Sequence, residues 1–152
     1  MSVSVAPAFK AALYAACQTL YPTPSLVCYG NPGALSANDI VGVMNVSSQQ
    51  DVATMSNLRR REETLTVEVI FSCWRGGLDQ KTVTERAYTM LGQLETYLQD
   101  SGNTPSTQIT LGGVVRECRV ISHDLAETAN PDDLAVGRIA EITAVVVAHA
   151  RI

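Results

Sequence analysis

The most regular run of apolar and polar positions lies between Thr64 and Trp74. Leu65, Val67, Val69, Phe71 and Cys73 fall on one side at period two, and Thr64, Thr66, Glu68 and Ser72 on the other. Alternation of this length in β-branched and aromatic residues predicts a half-buried strand. Burying its apolar side would contribute roughly 8–12 kcal/mol, at about 1.5–3 kcal/mol per large side chain, as an upper bound. The polar side also carries Ile70 and Trp74. Large apolar groups on a solvent face mark contact surfaces, so part of this face is expected to meet another copy of the chain.

Elsewhere the period changes. Met1 to Val5 reads as a loose or partner-dependent arm. Pro7 suits a first helical position, and Phe9, Leu13, Ala16, Cys17 and Leu20 follow at helical spacing until Tyr21-Pro22. Leu26 to Tyr29 predicts a short strand, closed by the turn residues Gly30-Asn31-Pro32-Gly33. Asp39 to Val46 predicts a second strand whose inner face the pattern leaves open, with Gly42 marking close approach or a bulge. Ser47 to Arg61 has no period and reads as a loop, and residues 47–63 as a mobile or assembly segment. Past Gly76-Gly77, Val83, Ala87, Met90, Leu91, Leu94 and Leu98 form one stripe of a long helix over about Asp79 to Gln99. Either Asp79 or a Thr82/Glu85 capping box would start it, and Ser101-Gly102-Asn103 would end it. Ile109 to Leu111 reads as a short extended piece, Val114 to about Asp124 as a strand and Asn130 to Asp133 as a turn. The last strand, about Arg138 to Ala150, puts Ala140, Ile142, Ala144, Val146, Ala148 and Ala150 on one face. The order α-β-β-β-α-β-β predicts one α+β domain over residues 1–152, a mostly antiparallel sheet flanked by two helices.

Composition refines this picture. At 152 residues and 46% hydrophobic content the chain can build one core without a disulfide or a metal. Aromatics are only 5%, so that core is aliphatic and rich in alanine. The net charge of −4, with 11 Lys and Arg, offers no basic stripe for gripping nucleic acid. Cys17, Cys28, Cys73 and Cys118 lack CxxC spacing and read as reduced core thiols of a chain made in a cytosol. No secretory signal and no apolar run near the ~20 residues of a membrane helix is visible, so no membrane partner is expected.

Candidate chemistry is thin. There is no phosphate-binding loop, nucleophile elbow or HExxH, and no catalytic residue, cofactor site or metal site is assigned. His123 and Asp124 are adjacent, which on a strand sends them to opposite faces. A Cys28–His123 thiol–imidazole pair would need a proximity that sequence does not supply. Asp132-Asp133 lacks the ligand series of a calcium loop. Arg59, Arg60, Arg61, Glu62 and Glu63, just before the central strand, form either a solvated strand entry or an assembly segment. In the latter, arginine forks would find carboxylates on a neighbouring copy.

Several of these pieces together resemble the tail terminator (tail completion) proteins of long-tailed bacteriophages. They are the first helix, Tyr29-Gly30-Asn31-Pro32 and Asp39-Ile40-Val41-Gly42. Arg61-Glu62-Glu63 before the alternating strand, Leu111-Gly112-Gly113, and a long apolar strand ending at Ala150-Arg151-Ile152 complete the set. The likeness covers nearly the whole chain, with Ser47 to Arg61 and Ala126 to Leu134 longer than in some members. It implies a non-enzymatic structural protein of the virion, at the head–tail junction, made in the host cytoplasm. Such proteins form a ring, usually of six copies, on the tail tube protein. They end tube growth and present the other face to the head connector or stopper protein, and DNA passes through the lumen without specific binding. A closed ring needs two different sticky surfaces on each copy. Arg59 to Glu63, Ile70 and Trp74, together with the small-residue final strand, are the candidates for subunit interfaces. Competing readings are another head–tail neck component, a tail-tube subunit, or a small-ligand-binding or regulatory α+β domain.

Overall fold

The computed structural model describes residues 3–31, 38–52, 61–75, 79–99, 109–129 and 137–152. The alternating stretch is the middle of β3, Arg61–Arg75, which pairs on one side with β2, Asp39–Val52, and on the other with β5, Arg138–Arg151. β1, Leu26–Tyr29, adds parallel to the start of β2, and β4, Glu117–Ala129, adds antiparallel to β5. The sheet is therefore mixed, five-stranded, in the order β1-β2-β3-β5-β4. Helices α1, Ala6–Leu20, and α2, Gln80–Leu98, complete the α+β fold.

One face of the sheet carries the core. Register sets Leu65 beside Ala148, Val67 beside Val146, Val69 beside Val43 and Ala144, and Phe71 beside Val41 and Ile142. Phe9, Leu13 and Cys17 of α1 and the Val83-to-Leu98 stripe of α2 join this same buried cluster, so both helices lie on one side of the sheet. Alanines on β5 let α2 come close, and the larger residues of β3 fill the space between the helices. Cys17, Cys73 and Cys118 are free and buried, and burial pushes each thiol up to about 12. Cys28, also expected in the core, is free but only half-buried, because β1 is an edge strand.

Several boundaries differ from expectation. β2 runs on through Ser47 to Val52, and β3 starts at Arg61, so the loop expected over Ser47 to Arg61 is narrower at both ends. Those β2 residues are exposed, leaving no apolar alternation to announce a strand, and pairing with Arg61 to Thr66 alone holds them. The expected irregularity at Gly42 lies instead between Val43 and Val46. Ile109 to Leu111 is a turn, not an extended piece. Gly113 and Val115 both donate to the Thr110 carbonyl, at 3.1 Å each, and Leu111 and Val115 plug the end of the core. β4 accordingly starts three residues late, at Glu117, and continues to Ala129. Of the segment expected to be a loose arm, Ser4 and Val5 are tied to Glu63. The turns expected at Gly76-Gly77, Ser101 to Asn103 and Asn130 to Asp133 lie outside the described residues.

Candidate functional site

The face of the sheet away from the helices has no second layer among the described residues. Along β3 it presents Thr64, Thr66, Glu68, Ile70 and Trp74; along β5, Ile139, Glu141, Thr143, Val145, Val147 and His149. Cross-strand partners alternate in kind. Trp74 faces Ile139, Ile70 faces Thr143, Glu68 faces Val145, and Thr66 faces Val147. Apart from the exposed Glu68 these residues are half-buried, and Ile40, Gly42 and Ser72 on this face are closed over. The result is an apolar field interrupted by carboxylates, Glu68 across from Val145, Glu141 across from Ser72 and Asp124 across from Thr143.

Trp74 is held in place from below. A side chain at Gly137 would put its Cβ 2.3 Å from the indole Nε1 and 2.8 Å from the Arg75 carbonyl, and Gly137 has φ +153°. Only glycine leaves room for the ring against the start of β5. The Trp74 amide also donates to the Asn38 carbonyl at 2.7 Å. The indole is thus fixed as part of the face.

At the far end of β3 the sequence candidates separate. The Arg61 backbone closes a reciprocal pair with Ile152, at 2.9 and 3.0 Å, and its guanidinium donates to Gln50 at 2.8 Å. Glu62 receives Arg151 at 2.8 Å and Arg116 at 3.5 Å, an exposed cluster joining β3, β5 and the entry to β4. Glu63 is fully buried. It accepts from the Ser4 and Ser48 hydroxyls and from the Val5 amide at 3.1 Å, while Ser4 in turn accepts from the Ala6 amide. Burial raises its pKa, but these donors together with the Arg61 charge outweigh that and hold the carboxyl below its ordinary value. Glu63 therefore caps α1 from another element, where the helix dipole favours a negative charge. Its oxygens are spent within the chain. Arg59 and Arg60 lie outside the described residues.

The small residues of the last strand, expected at an interface, are instead in the core: Ala140, Ala144, Ala148 and Ala150 are buried with the helices, and it is the opposite side of β5 that is open. Two features escape a reading of the sequence. The first is the size of the open face. Ile139, Val145 and Val147 extend the Ile70–Trp74 patch, and the run Val145-Val146-Val147 was the available signal. The second is an ion cluster at the other end of the core. Asp39 takes Arg75 through both oxygens, at 2.8 and 3.2 Å, and Arg86 Nε at 3.2 Å. Burial pushes Asp39 up, and the bonds and charges of the two arginines outweigh it, so the carboxyl sits below its usual range. The cluster ties β2, β3 and α2 together and floors a cleft lined by Leu20, Pro22, Pro24 and Gln93. It unites residues 36 and 47 positions apart, which no local pattern reveals.

No arrangement for bond chemistry is assembled by the residues singled out earlier. Cys28 on β1 and His123 on β4 stand at opposite edges of the sheet. The His123 ring instead meets Tyr88 edge-on at 5.5 Å. Among the described residues no three His, Cys, Asp or Glu side chains are grouped to hold a metal, and no helix is long and apolar enough to cross a membrane.

No family model matches the sequence, and no curated protein matches it either. Among solved structures, the chain is distantly similar to one from the virion of a native gene transfer agent particle. The two are 15% identical over 97% of this chain and 99% of the other, with a TM-score of 0.47.

Proposed function

We propose that this chain is a structural protein of a phage-like particle that closes into a ring at the end of a tail tube. In this role it stops tube growth and offers its second face to the head connector. The observation that carries the proposal is the open face of β3 and β5, where Ile70, Trp74, Ile139, Val145 and Val147 stand half-buried with no layer above them among the described residues. A free monomer gains nothing from such a field, whereas a neighbour seated on it would remove several large apolar side chains from water. The resemblance of the element order to tail terminators supports the same reading. Six copies are the expected number, and DNA passes the lumen without specific contacts, in keeping with the net charge of −4. Arg61 and Glu62 remain candidates at a second interface, at the opposite end of β3 from Trp74. Glu63 contributes there only by holding α1.

The double substitution Ile70→Asp with Val145→Asp tests the reading. Both side chains point away from the core, so the monomer keeps its circular dichroism spectrum and ring particles vanish from electron micrographs. Rings of normal size from this variant would remove the face from the interface. Long tubes from the unmodified protein would favour a tail-tube subunit instead.

A further inference from the structure

The Asp39 cluster holds two cations on one anion. The Arg75 and Arg86 side chains are 33% and 36% exposed against 11% for Asp39, so the cleft above them meets the cations more than the carboxylate. Arg138, directly across from Arg75 in register, adds a third guanidinium at this corner and makes no ion pair among the described residues. Hydrogen bonding leaves part of this charge unused. Arg75 gives both Nη groups to Asp39, and Nη1 also reaches the Asn38 and Trp74 carbonyls. Arg86 binds Asp39 through Nε alone, and its two Nη groups have no partner among the described residues. The Nε bond fixes the guanidinium and leaves its far edge, two parallel N–H bonds wide, unspent. The cleft that Arg86 borders encloses about 410 Å³, within the range of small-ligand pockets, and Leu20, Pro22 and Pro24 give it an apolar wall.

We infer that this cleft, between the end of α1 and α2, binds an organic carboxylate, a small acid with an apolar body. Charge calls for an anion. The open edge of Arg86 matches a planar carboxylate through two parallel charge-assisted bonds, the kind of pairing that Arg75 already makes with Asp39. An apolar body then has Leu20, Pro22 and Pro24 to lie against, a wall that a bare phosphate would leave in water. Helix α1 also ends at Leu20, and the negative end of its dipole opposes a dianion more strongly than a monoanion. The site lies wholly within one chain, so it neither requires ring formation nor counts for it.

Ligand-observed saturation-transfer NMR with hexanoate, hexanamide and inorganic phosphate as competitor tests this, and it reads rings and monomers alike. Hexanoate should bind saturably, hexanamide at least about tenfold more weakly for want of the charge-assisted bonds, and phosphate should displace hexanoate only poorly. Arg86→Gln removes the charged edge and should weaken hexanoate by at least about tenfold for the same reason. Arg86→Lys keeps the charge beside Asp39 but loses the two-bond edge. It should weaken hexanoate as well, and it carries the test should the glutamine variant not fold. Equal binding of hexanamide would reduce the cleft to an apolar trough and overturn the inference. Phosphate that competes as an equal would make it a site for any anion, which overturns the organic carboxylate. Hexanoate bound at full strength by both variants, or not bound saturably by the parent, would overturn it too.

Discussion

Glu63 is fully buried on a strand whose neighbouring charges are at the surface, and all of its contacts serve the start of α1 and the partner strand β2. Replacing it with alanine leaves the Val5 amide and two hydroxyls without an acceptor, at a cost of about 1–3 kcal/mol. Its folded-state pKa is lowered, so its stabilisation is fully present above the ordinary value near 4.5 and is lost as pH falls through the folded value. The stability gap between the parent and Glu63→Ala, measured by urea unfolding from pH 7 down to pH 3, should therefore be widest at neutral pH and close towards the acid end. A gap independent of pH would mean that the carboxylate charge plays no part in the cap. Gly137 makes a second prediction of this kind. Gly137→Ala should destabilise by about 1–3 kcal/mol through overpacking. Because Trp74 is the one tryptophan, its emission should shift to the red as the ring is lifted from the sheet. Unchanged emission would mean that the ring does not rest on that glycine.

At the scale of elements, the reach of pattern reading is set by what covers each segment. β3 and α2 were legible because each has one buried face: the alternation from Leu65 to Cys73 and the stripe from Val83 to Leu98 are both continuous in the sequence. β2 beyond Val46 was not, since neither of its faces is covered and only backbone pairing to β3 makes it a strand. Val114 and Val115 misled in the opposite sense. They are β-branched, yet Val115 belongs to a turn that seals the core, and the strand begins after it. Of the candidate site, Ile70 and Trp74 could be found from parity. The Asp39 cluster could not, because only the folded topology brings β2, β3 and α2 to one point. This cluster fixes how α2 sits on the sheet. Asp39→Asn should cost about 1–3 kcal/mol, less than a fully buried pair because both arginines are about one-third exposed. Asp39 sits below its usual value, so its contribution holds above about 3.8 and fades as pH falls further. Urea unfolding of Asp39→Asn at pH 7 and pH 3 checks both the size and the sign.

At the scale of the molecule, the described residues form a single sheet with helices on one side, and the other side is left partly apolar. Two-layer architectures of this kind are complete as monomers when the free face is polar. Here the alternation of Glu68 and Thr66 with Ile70, Trp74, Val145 and Val147 gives neither a dry core nor a wet surface, which suits a face that begins in water and ends against a neighbour. The two ends of β3 differ as well. Trp74 and the arginine cluster stand at one end, and the Glu62–Arg116–Arg151 group at the other. Unequal ends are what a head-to-tail ring requires. Native mass spectrometry of the unmodified 16.3 kDa chain over a wide concentration range tests this most directly. The account predicts one closed species, a fixed multiple of the monomer and most simply six copies, with no larger series above it. A folded monomer at every concentration would contradict it.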